Sequence, residues 1–180
     1  MDYLVIDLEA TCWDDNSELD RMEIIEIGAV LLDGKHLLPK FDFSCFVRPT
    51  REPLLSEFCK QLTGIKQSQV DRAETFPNAF AGFLNWAGPA DLIMCSWGDY
   101  DRKHLLLECQ RHKVPVPEWL ERHINLKAEF AASRCIRPCG MSKALKIMGL
   151  PLKGSHHRAL DDAKNIAELA RFILEPSNMS

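Results

Sequence analysis

The chain has 180 residues, 46% of them hydrophobic and 27% charged, with a formal net charge of −4, a composition that fits one soluble globular domain. No apolar run approaches the roughly 18 residues of a membrane span, and the acidic start, MDYLVIDLEATCW, lacks the basic opening of a secretory signal. Seven cysteines without a CxxC pair read as free thiols, and with the missing signal they predict a cytoplasmic protein.

In chain order, residues 2–8 read as a strand and 24–32 (IIEIGAVLL) as a second. Residues 40–47 read as a third, and the turn signal Asp33-Gly34 joins the second and third as an antiparallel hairpin. Short helices are predicted over 54–61 and 66–70, and an amphipathic one over 76–87. Residues 92–95 form a short buried strand and 102–113 a helix that Pro115 and Pro117 end. A last short strand is expected at 124–126, then helices over 128–135, 142–148 and 159–174. The sum is an α/β fold, a mixed central sheet of about five strands with helices on both faces. One domain spans 1–175, and 176–180 read as a frayed tail.

Strands alternate faces, so Asp7 and Glu9 point the same way at the end of the first strand. Two neighbouring carboxylates repel unless a cation lies between them, and hard Mg2+ or Mn2+ suits their oxygens. In CSWGDYD, Asp101 precedes Leu105 by one helical turn and so shares its inner side; Asp99 is the capping or solvent-side acid. In HHRALDDAKNIAELA, Asp162 falls on the stripe of Ala159, Ala163 and Ile166, whereas Asp161, Lys164, Asn165 and Glu168 fall on the wet face. His157 precedes this helix in a Gly/Ser/His stretch expected to be mobile. Four inward acids from three segments can hold two divalent ions about 3.5–4 Å apart, and a histidine beside them suits a general base.

Cys135 and Cys139, followed by His156 and His157, have atypical spacing for zinc, and thiols are the better reading. Between Phe130 and Leu160 the chain carries six cations and no acid. Such a stretch in an acidic protein suits contact with a short length of phosphodiester, or is simply a solvated surface.

Together DLEATCW, SWGDYD and HHRALDDA resemble the DEDDh exonucleases of the ribonuclease H-like superfamily, and within them the Eri-type 3′-to-5′ exoribonucleases. EIIEIGAV, FCKQLTGIKQSQVDRAETF and GMSKALKIMGLPLKGSHHRALDDAKNIA extend the likeness over roughly residues 2–174. The resemblance implies a ribonuclease H-like fold and two Mg2+ or Mn2+ ions on Asp7, Glu9, Asp101 and Asp162. It implies His157 as base, and release of nucleoside 5′-monophosphates from the free 3′ end of single-stranded RNA, with DNA as an open substrate. Ala10, Thr11 and Trp13 would meet the terminal nucleotide. Leu62, Thr63 and Ile65 would form the facing wall, with Trp97 as a stacking or packing ring. Lys143, Lys146 and Arg158 are expected on the phosphates behind the scissile one. The competing readings are a dinucleotide or short-oligonucleotide hydrolase, a DNA-preferring exonuclease, and a silent nucleic-acid-binding scaffold.

Overall fold

The computed structural model describes residues 1–15, 19–88 and 91–174; the tail expected at 176–180 lies outside them. Along the chain run β1 (Asp2–Ala10), β2 (Ile24–Leu32), β3 (Pro39–Arg48), α1 (Glu57–Thr63), α2 (Gln67–Asp71), β4 (Glu74–Thr75) and α3 (Phe76–Ala87). These are followed by β5 (Leu92–Ser96), α4 (Tyr100–His112), β6 (His123–Asn125), α5 (Leu126–Ser133), α6 (Met141–Ile147) and α7 (Ala159–Leu174). One six-stranded sheet has the order β4-β3-β2-β1-β5-β6. The first three strands pair antiparallel and the other pairings are parallel, so the sheet is mixed, with one strand more than expected. The extra strand, β4, has two residues, too few to show a period, and the 3-10 turn at Glu118–Leu120 was equally invisible. Among the described residues no helix is long and apolar enough to cross a membrane.

Alternation in β1 sends Leu4, Ile6 and Leu8 to one face, where they pack with Phe76, Phe80 and Phe83 of α3 and Leu105 of α4. Val5 points to the other face, against Ala163, Ile166 and Ala170 of α7. Burial of large side chains on both faces removes about 25 cal/mol of unfavourable hydration per Å² of apolar surface. It also makes the sheet a rigid floor, and Asp7 and Glu9 emerge from it on the α7 side.

Helix α7 lies close to the sheet because of one residue. Gly28 of β2 stands opposite Asp7 in the β1–β2 ladder. A Cβ on it would sit 2.1 Å from the Ala159 carbonyl carbon. With no side chain there, the first turn of α7 rests on the backbone of β2, beside Asp7.

Candidate active site

Three elements deliver the four predicted acids. β5 accompanies β1 only from Asp2 to Val5. Past that point the outer edge of β1 is open, and the Leu8 N–H donates to Asp101 Oδ1 at 3.1 Å. Asp101 lies in the first turn of α4 and is buried, as its helix stripe predicted. Asp99 is exposed at the N-cap position and its side chain makes no capping bond. Asp162, 4% exposed, comes down from α7. Single carboxylate oxygens of Asp7, Glu9 and Asp162 all lie within 4.8 Å of one another.

The electrostatics of this cluster are unfavourable as it stands. Burial, and after it the charges of Asp101, Glu9 and Asp162, raise Asp7 well above the ordinary carboxylate range. Burial, then Asp162, Glu26 and Asp101, push Glu9 up to about 8. Burial pushes Asp101 up to about 7, despite the opposing hydrogen bond from Leu8. Burial, and for Asp7 and Glu9 the neighbouring carboxylates, make these acids resist ionising together. A donor set made only of carboxylate oxygens fits hard divalent cations, and their charge would reverse the repulsion.

Asp162 is held from several sides. The His157 N–H donates to its Oδ2 at 2.9 Å, and His156 Nδ1 lies 2.8 and 3.1 Å from its two oxygens. The His156 and His157 rings stack with centroids 4.0 Å apart. The stretch before α7, expected to be mobile, is tied down. Asp161 Oδ2 accepts from Ser155 N–H, and Asn165 joins both the N–H and the carbonyl of Lys153 at 2.8–2.9 Å. Asn165 is therefore buried, contrary to its assignment to the wet face, because the loop folds over it. Burial and the neighbouring His156 lower the pKa of His157, against the Asp162 charge, and so favour its neutral imidazole.

Two residues that position the site, Glu26 and Gly28, escaped the sequence reading. Glu26, 1% exposed, accepts from the Ala159 N–H at 3.1 Å and from Arg158 Nη2 at 2.8 Å and Nε at 3.1 Å. It caps the first turn of α7 and, with Gly28, sets where Asp162 hangs. The signal was present in IIEIGAV, a glutamate inside an apolar strand, which poses the same problem as Asp7 and Glu9. The Arg158 guanidinium, expected on a phosphate, is engaged by Glu26 through Nε and Nη2 and so clamps the start of α7 to β2.

The acids form the base of a cavity of about 350 Å³. Ala10, Leu62 and Trp97 line it, as expected, together with Cys12, Met22 and Tyr100. Trp97 is anchored by its Nε1–H to the Cys139 carbonyl at 2.9 Å. Thr11 is buried behind the wall, its Oγ1 accepting from the Glu23 N–H at 2.9 Å. Trp13, Thr63 and Ile65 are not among the described lining residues. The Arg21 guanidinium covers the Trp13 ring at 3.7 Å, the Thr63 hydroxyl donates to Cys59 O, and Ile65 packs into a small core with Leu55 and Val70. Lys143 and Lys146 are exposed on α6, whose first residue, Met141, borders the cavity.

Comparison with known proteins gives a concordant result. The profile of a family described as exonuclease (RNase_T) matches residues 4–170. The human protein ERI1 exoribonuclease 2 is 35% identical over 192 residues, covering 94% of this chain and 28% of that relative. The human 3′-5′ exoribonuclease 1 is 35% identical over 185 residues, covering 97% of this chain and 53% of the relative. The chain thus spans about half or less of the length of these curated relatives. Among solved structures, the nuclease domain of 3′hExo, a DEDDh family member, bound to rAMP, superposes with a TM-score of 0.89 at 32% identity, covering 97% of this chain and 92% of that one.

Proposed function

The chain belongs to the exonuclease family, and from that premise we propose that it is a 3′-to-5′ exoribonuclease that removes nucleoside 5′-monophosphates from single-stranded RNA. The single observation that carries the reading is the convergence of Asp7, Glu9, Asp101 and Asp162 at the open end of β1. Burial, and for Asp7 and Glu9 the neighbouring carboxylates, hold these acids back from ionising, and a bound cation would let them carry their charge together. Exonucleases of this kind use divalent metal ions; here we assign two, Mg2+ or Mn2+, to these four residues. When bound they supply Lewis acidity to a phosphate and lower the pKa of water.

The chain's own groups do the rest. His157, whose neutral form is favoured by burial, accepts the proton of the attacking water at a ring nitrogen. Leu62 and Trp97 hold the terminal nucleotide between apolar walls, with Ala10 at the floor; base stacking on an aromatic ring contributes about 1–3 kcal/mol with little regard to sequence. A cavity of about 350 Å³ is at the small end for ligand sites. It accepts one terminal residue and excludes a duplex, which gives attack at ends over internal bonds. Lys143 and Lys146 would hold the phosphates that follow.

The reading is tested with 5′-labelled single-stranded RNA, single-stranded DNA, 3′-overhang duplexes and dinucleotides, each with Mg2+, Mn2+ or chelator. A metal-dependent ladder from the 3′ end of RNA is expected. Binding without cleavage would overturn the assignment in favour of a scaffold. Cleavage confined to dinucleotides, or a preference for DNA, would move it to the other substrate classes.

A further inference from the structure

Asp162 belongs to two donor sets at once. With Asp7 and Glu9 it forms an all-oxygen group; with His156 and His157 it forms a second group whose potential ligand atoms also lie within 4.8 Å of one another. The second set is two imidazoles and one carboxylate, a different chemistry. Mg2+ prefers oxygen and dehydrates reluctantly, whereas imidazole nitrogen selects Zn2+ and its neighbours among the transition metals.

We propose that His156, His157 and Asp162 form a site for a borderline-soft transition-metal ion, Zn2+ being the probe, and that filling it silences the enzyme. Bonds of about 2.0–2.2 Å in a tetrahedral site put ligand atoms roughly 3.4 Å apart. His156 Nδ1 is 2.8 Å from Asp162 Oδ2, and one ligand atom from each of the three residues lies within 4.8 Å of the others, so the set brackets that spacing. The frame is fixed beforehand. Asp162 is buried on α7, and Gly154, at φ +70, lets the loop pass against the Asp161 carboxylate, where a Cβ would lie 2.3 Å from Asp161 Cγ. His157 itself takes φ +63, a left-handed conformation rare for a residue with a side chain. The hydrogen bond from its own N–H to Asp162 Oδ2 accompanies that conformation and keeps the two ligands together.

Silencing follows from shared parts, and this half rests on the exonuclease reading. A ring nitrogen of His157 that binds the ion has no lone pair left for a proton. Asp162 is drawn from the all-oxygen set into the nitrogen-rich one. His156, which has no role in the proposed reaction, is the residue that turns a base and a carboxylate into a three-ligand site.

The experiment uses the metal-stripped full chain and His156→Gln, with His156→Ala as a second variant. Zn2+ uptake is followed by calorimetry in excess Mg2+, and Co2+ by its visible absorption as a report of nitrogen ligation. Both variants should bind Zn2+ at least about tenfold more weakly, since even a supporting residue of a metal site is worth that much. The Zn2+ concentration that halves each protein's own Mg2+-dependent rate should rise by the same factor. Equal Zn2+ affinity in wild type and variants would overturn the site and put the ion on the carboxylates. Weaker binding without a change in half-inhibition would overturn the silencing. Absence of any Mg2+-dependent cleavage by the wild type would instead refute the exonuclease reading, and the binding arm would still report on the site.

Discussion

Two cavities flank α7, and the larger is not the one that holds the four acids. Between β3 and α7 a groove of about 550 Å³ is bordered by Lys40, Asp42, Lys153, Lys164, Glu168 and Arg171. Each charge there has an opposite within reach: Lys164–Asp42 at 2.7 Å, Lys153–Glu168 at 2.9 Å, Arg171–Glu168 at 4.0 Å and Lys40–Asp2 at 2.9 Å. The smaller cavity beside β1 holds Asp7, Glu9, Asp101 and Asp162 with no Lys or Arg among its described lining residues. One is electrostatically settled and worth little, as exposed pairs usually are. The other is poised for a partner of opposite charge. Unbalanced charge, more than volume, singles out the proposed site.

The largest contrast should come from neutralising an acid. Asp7→Asn or Asp162→Asn should cut turnover by about 10²–10³-fold or more, the scale of losing a well-placed electrostatic group. Asp7→Asn should also raise the melting temperature in chelator, because it removes a carboxyl whose ionisation is opposed by burial and then by its acidic neighbours. Lys164→Ala in the settled groove should stay within about 1 kcal/mol of wild type and keep its rate. If Asp7→Asn were destabilising in chelator, the picture of opposed ionisation would be wrong.

Gly28→Ala tests how the poised cavity is built. A methyl group 2.1 Å from the Ala159 backbone cannot be accommodated by rotating a side chain, so α7 must lift. Overpacking of this kind costs about 1–3 kcal/mol or more, and activity should fall with it as Asp162 is displaced. Arg158→Ala attacks the same joint from the other side. It leaves the Glu26 carboxylate buried with only the Ala159 N–H. A cost of about 2 kcal/mol is expected by urea titration, less than for a fully buried pair because Arg158 keeps about a third of its side chain in water.

The poised cavity should also show itself as a pH effect. An acid whose folded pKa lies above its unfolded one holds its proton longer in the folded state, so stability falls as pH rises between the two. For Asp101 and Glu9 the window opens near pH 4, where the unfolded chain ionises, and closes at about 7 and about 8. In chelator the melting temperature should therefore drop across this range. Mg2+ or Mn2+ should raise it more at the top of the window than at the bottom. At 100 times its dissociation constant an ion stabilises by about 2.7 kcal/mol. A metal-induced shift that is flat with pH would mean that these acids are not what the ion meets.

How much of this was readable depended on whether a residue's face could be deduced. The strand over Ile24–Leu32 and the helices over Phe76–Ala87 and Ala159–Leu174 have the predicted bounds, since long apolar runs and clear stripes leave little freedom. The same stripe assigned Asp162 inward and Asp161 outward. Glu26 was lost because β2 is buried along its whole length: with both faces covered, alternation vanishes and a buried acid looks like any other residue of the run. Gly28 needed the neighbouring helix to be known. Asn165 went to the wrong face because a helix stripe cannot show which loop folds over it. Thr63 and Ile65 sit beside a predicted wall, yet their side chains are taken by α1 and the small core. His156 had been weighed with cysteines, and the fold brings Asp162 to it instead.

The smallest effect belongs to the rim. Lys143 and Lys146 stand on α6 with their side chains in water, neither settled like the groove cations nor buried like the acids. Such charges bind phosphates by releasing counterions, with a slope of about −0.7 per contact on a single strand. Replacing both with alanine should raise KM and flatten its salt dependence by about 1.4 in log–log slope, with kcat nearly unchanged. An unchanged slope would remove α6 from the RNA path. A fall in kcat with a normal slope would mean that the helix positions the cavity through Met141 instead of gripping the strand. Either result redraws the boundary of the poised region without touching the acids that define it.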